Sequence, residues 1–176
     1  MYPLGLRNDR AWHWSLWGQL LFIIQAVAFI FAGILISSIG VSTVFVPEDL
    51  HFMETTATKL MSSNPRLLPL IAHDRATFGG MLVSSGLAFL TATLWGFRAG
   101  RQWLWWTFFL AGLPGYAAAI TVHLVVGYHD PWHLAPAFGG LFLFSLGLFL
   151  SYPFLVGNNR QLDQDWQSYR TGGLRS

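Results

Sequence analysis

The chain has no cysteine and a single lysine, and only 10% of its residues carry charge. Without cysteine there can be no disulfide, no thiol redox pair and no thiolate ligand for a metal. Charge this sparse, against about 25% in a soluble domain, leaves too little to solvate an ordinary protein surface. The formal net charge is +2 and no basic run occurs, so nothing points to a nucleic-acid partner. What fills the sequence is apolar: 53% of 176 residues are hydrophobic and the mean hydropathy is +0.46. A single domain is the natural count at this length.

A bilayer core is crossed by about 20 consecutive, mostly apolar residues. Four segments qualify, at 16–40, 77–97, 103–127 and 135–157, and none holds Asp, Glu, Lys or Arg. The expected fold is therefore an all-α integral membrane domain over 1–157, followed by a polar cytoplasmic tail at 158–176. The first span is too long, and too poor in a small-residue cleavage site, for a removable signal peptide, and reads as a retained anchor. With both termini inside, the inner segments hold seven arginines, and the outer loops hold only Lys59, Arg66 and Arg75. The positive-inside rule then favours an N-in, C-in chain in a bacterial inner membrane. Trp12, Trp14, Trp17, Trp95, Trp103, Trp105 and Trp106 would form an aromatic belt at the inner headgroups.

The outer loop between the first two spans carries its own pattern. Pro47 followed by Glu48 and Asp49 suits a helix start. Leu50, Met53, Ala57, Leu60 and Met61 then recur at helical spacing, and Asn64-Pro65 ends the run. One amphipathic helix lying on the membrane surface is expected here.

Lipid gives no hydrophobic drive between helices, so spans associate through faces of small residues. Ala111, Gly115 and Ala119 make such a stripe on the third span, and it leads to His123. Thr77, Gly80 and Ser84 lead back to His73, and Gly140 and Ala137 lead back to His133. Three histidines at the outer ends of three packing faces should converge. With Asp74 or Asp130 beside them, His73, His123 and His133 form a candidate cofactor site for a metal ion, a haem or a quinol. Imidazole is a common metal ligand, and ionisable groups that face a bundle interior at membrane depth point to function.

A structural reading stands beside this one. Asp74 can cap the second span while Arg75 snorkels to phosphate, and Asp130 with Pro131 can start the fourth. Gln25 lies deep in the first span and needs an interhelical partner, while Pro114 should kink the third. No metal signature such as HExxH occurs.

The stretches HDRATFGGMLVSSGLAF, LWGFRAG, VHLVVGY and WHLAPAF resemble multi-pass bacterial membrane proteins associated with dihydroorotate dehydrogenase. The resemblance covers the last three spans and implies a quinone-linked setting. The sequence contains no flavin-binding barrel, so no catalytic residue transfers with it. Three functions follow. The first is a redox-associated membrane protein with a metal, haem or quinol at the outer face. The second is a non-catalytic anchor or accessory subunit, working with other membrane subunits or as a homo-oligomer. The third is a small-solute transporter, which the absence of charge within the spans and of inverted repeats disfavours.

Overall fold

The computed structural model describes residues 9–157, so the expected polar tail at 158–176 lies outside the described residues. Six helices follow one another: α1 (Asp9–Val41), α2 (Pro47–Phe52), α3 (Ala57–Ser63), α4 (Leu67–Gly96), α5 (Gln102–Val126) and α6 (Pro131–Leu155). Four of them, α1, α4, α5 and α6, are long and apolar enough to cross a membrane. By helix composition this is a multi-pass membrane protein whose main partner is the lipid bilayer.

The long helices outrun the apolar runs at several ends. The second span was expected from Thr77, yet α4 starts ten residues earlier, at Leu67. Pro69 sits in the first turn of α4, where its missing N–H is no loss. Asp130 caps α6 with Pro131 at the first helical position, as expected, and its side chain accepts the His133 N–H at 2.7 Å. The loop segment differs more. In place of one amphipathic helix there are two short ones, broken where Glu54 adopts φ +49°. Thr56 then caps α3 by accepting the Lys59 N–H.

Helix α1 is the hub. Its contact with α4 is antiparallel and very close: a methyl group on Gly33 would come within 2.5 Å of the Gly79 carbonyl oxygen. Gly86 nests in the same way against Ala26 and Ile30. Backbones this near replace the missing hydrophobic drive with dispersion contacts. Polar bonds reinforce the pair, with Ser37 Oγ donating to the Ala76 carbonyl and Gln19 Nε2 to that of Thr93, both at 3.2 Å. On its other side α1 meets α6, where Gly18 lies against Ser151 and Phe22 against Gly147.

Helix α5 packs along α6, and Trp105 Nε1 donates to the Leu148 carbonyl at 2.9 Å. Against α1 and α4 it is held off by aromatic rings. Phe108 meets Phe22 at 4.9 Å and Phe89 at 4.0 Å between ring centroids, and Phe144 and Tyr116 continue this core. Such ring pairs add about 0.5–1.5 kcal/mol each beyond their area.

Two of the three expected small-residue faces turn outward. Gly80 and Gly115 have open space where a side chain would grow, and Thr77, Ser84, Ala111 and Ala119 are exposed. The true packing face of α4 is one residue away, through Gly79 and Gly86. On α5 the buried line is Leu104, Phe108 and Tyr116, with Gly112 against Phe144. Only the α6 face holds as expected, with Gly140 against Tyr116.

Candidate functional site

The α2 end of the bundle gathers α2, α3, the first turns of α4 and the α5–α6 connection. Its organising group is Asp49, which sits at the third position of α2 and is 8% exposed. The Val46 N–H donates to Oδ2 at 3.0 Å, the return half of a helix cap. Arg75 of α4 also donates to Oδ2, and the Tyr128 hydroxyl donates to Oδ1 at 3.2 Å. One buried carboxylate thus joins α2, α4 and the α5–α6 connection, and its charge is matched. Sequence reasoning gave Asp49 only a helix-dipole role and Arg75 only a headgroup; Tyr128 escaped it altogether.

Tyr128 reaches this position because α5 ends on Gly127 in the left-handed region, φ +82°. The N–H groups of Gly127 and Tyr128 both return to the His123 carbonyl at 3.0 Å, closing the helix end. The ring of Tyr128 then stacks on Phe52 at 4.8 Å, on His133 at 4.6 Å and on His123 at 5.8 Å. The phenol is pushed up to about 12, chiefly by burial and then by the neighbouring Asp49 carboxylate, with Asp130 and Glu48 adding to it.

Of the three predicted histidines, two come together. His123 and His133 lie 5.2 Å apart between ring centroids. His123 Nδ1 is 2.6 Å from the Ala119 carbonyl. A carbonyl only accepts, so Nδ1 carries the hydrogen, and a neutral ring leaves Nε2 as a bare acceptor.

His73 is placed elsewhere. It lies in the second turn of α4, exposed, with Nδ1 3.1 Å from the exposed Asp74 carboxylate. Asp74 is therefore neither a helix cap nor a partner of His123 and His133; the early start of α4 puts it inside the helix. Asp130 is engaged as the α6 cap. Among the described residues no three His, Asp or Glu side chains converge as a metal site requires. The expected trio reduces to a pair with a tyrosine.

A shallow groove of about 370 Å³ lies beside this cluster, lined by Pro47, Glu48, His51, Phe52, Tyr128, His129 and Asp130. Deeper in the bundle, the Gln25 side-chain carbonyl and the Tyr116 hydroxyl are buried with no hydrogen-bond partner among the described residues. The interhelical partner expected for the Gln25 carbonyl is not in place.

Comparison with protein-family models, curated proteins and solved structures finds no match.

Proposed function

We propose that the protein is an N-in, C-in protein of the bacterial inner membrane whose α2 end faces outward and binds a lipid-soluble quinol. The reading rests on one observation: His123 is held through Nδ1, so Nε2 is free to accept a hydroxyl proton. His133 and Tyr128 flank it with flat, partly apolar surfaces suited to an aromatic ring. A metal ion or haem finds less support, because two imidazoles rather than three are gathered.

The test is direct binding of a short-chain ubiquinol to the chain in lipid nanodiscs. His123→Phe, which keeps a flat ring but removes Nε2, is expected to weaken binding about tenfold, the loss of one well-placed hydrogen bond. Equal affinity in wild type and variant would sink the reading.

A second reading, an anchor or accessory subunit, draws on the outward stripes of α4 and α5. Small residues facing lipid are what a neighbouring helix packs against. Gly80→Leu and Gly115→Leu are then expected to abolish association while leaving the monomer folded, as seen by cross-linking and thermal unfolding. Unchanged association would remove this alternative.

A further inference from the structure

Charge is sorted along the bundle. Five of the six acids among the described residues, Glu48, Asp49, Glu54, Asp74 and Asp130, lie at the α2 end. The opposite end, where α4 passes into α5, carries Arg98 and Arg101, and only Asp9 of α1 is acidic there. Both arginines are exposed, and neither makes an ion pair or a side-chain hydrogen bond among the described residues. The turn that carries them is fixed. The Arg101 N–H donates to the Arg98 carbonyl at 3.2 Å, and the Gly100 N–H, at φ +74°, donates to the Phe154 carbonyl of α6 at 3.0 Å. Phe97 stacks on Phe154 at 5.7 Å beneath it. Trp103 reaches back over α4, its ring 3.4 Å from where a methyl group on Gly96 would sit. Around the turn Trp95, Trp103 and Trp106 are 47–68% exposed.

We propose that the α4–α5 turn binds one anionic phospholipid, with its headgroup on Arg98 and Arg101 and its upper acyl chains against the exposed indoles. Guanidinium groups pair with phosphate through parallel hydrogen bonds, so two of them on one turn grip a phosphodiester. Tryptophan settles at headgroup depth, which brings both arginines level with lipid phosphates. An amphiphile therefore uses both parts of the surface, the charge and the rings, whereas a soluble anion uses only the first. A zwitterionic headgroup brings its own cation, and no carboxylate of α4, α5 or α6 lies at this end to receive it. The α2 end offers no equivalent, since Arg75 is committed to Asp49 and carboxylates surround it. The ties of Gly100 and Phe97 to Phe154 hold the turn in place before any lipid arrives, so little order is lost on binding.

This site is independent of the quinol reading, because it uses no residue of the α2 end. The test titrates phosphatidylglycerol and, separately, phosphatidylcholine into the full chain in neutral detergent and counts bound lipid by native mass spectrometry. One phosphatidylglycerol is expected to bind about 25-fold more tightly than phosphatidylcholine, at about fivefold for each arginine. Arg98→Gln and Arg101→Gln should each remove about fivefold of that preference, the loss of about 1 kcal/mol. Both side chains are exposed and unpaired, so the variants should fold as the parent does, which circular dichroism checks. Arg66→Gln, at the exposed arginine of the α2 end, and His123→Phe should leave the preference unchanged. Equal affinity for the two lipids overturns the proposal, as does a preference that neither turn variant lowers or that Arg66→Gln lowers as much. Free glycerol 3-phosphate that displaces phosphatidylglycerol at equal concentration would reassign the turn to a soluble phosphate and overturn it as well.

Discussion

Tyr128 donates its hydroxyl to Asp49 across 79 positions of sequence, and the same carboxylate receives Arg75 of α4. This pairing makes the short helix α2 a strap rather than a free surface helix. It also fixes the ring of Tyr128 against His123 and His133, so the candidate site depends on a residue outside it.

Breaking that strap should be asymmetric. Arg75→Ala leaves a carboxylate 8% exposed without its counter-charge, and losing one partner of a buried pair costs about 3–5 kcal/mol. Asp49→Asn keeps an acceptor oxygen at this position and lets Arg75 turn toward headgroups, so it should cost less. Thermal unfolding in detergent compares the two; equal destabilisation would count against a buried pair.

The α1–α4 contact gives the clearest mutational contrast. Gly79→Leu would drive a side chain into Ser37 and Gly33, whereas Gly80→Leu meets open space. The first should lower stability by at least about 3 kcal/mol through overpacking, the second by less than about 0.5 kcal/mol. Steric trapping or detergent unfolding of both variants distinguishes them.

The Tyr128 phenol lies above its ordinary value of 10, at about 12, so folding favours its neutral form. The stability it contributes is whole below pH 10 and is lost as pH rises from 10 through about 12. In a spectrophotometric titration Tyr128→Phe should remove one phenolate from the part of the curve near pH 12. A curve that Tyr128→Phe leaves unchanged there would contradict the assignment.

Glu54 is exposed and holds φ +49°, a conformation that costs a residue bearing a Cβ about 1–2 kcal/mol. Glu54→Gly should therefore stabilise the protein by up to about 1 kcal/mol. Glu54→Val should destabilise it, and the two midpoints on one unfolding curve decide the matter.

The four long helices were legible because apolar length alone marks them. The inward faces were not. On α4 Gly79 and Gly80 are adjacent, and composition cannot say which faces α1; one position is a turn of about 100°. On α5 the buried line runs through Leu104, Phe108 and Tyr116, since rings rather than small residues fill the gap. The stripe of Ala111, Gly115 and Ala119 was real but points away from the other helices. His73 was misplaced for the same reason, because its position was inferred from the Gly80 face. Asp49 and Tyr128 meet only through tertiary packing, which no local spacing announces.

Helix α1 touches α4 with one side and α6 with another, and α6 is the last of the described helices in chain order. A nascent chain that has reached Gly127 therefore carries α1 with Gly18 and Phe22 still awaiting Gly147 and Ser151. Of the four long helices described, the one made first is thus the last to finish packing. Until then that side of α1 faces lipid or whatever shelters it. Biogenesis of this protein is thus sensitive at α6, where a lesion would leave α1 exposed to quality control.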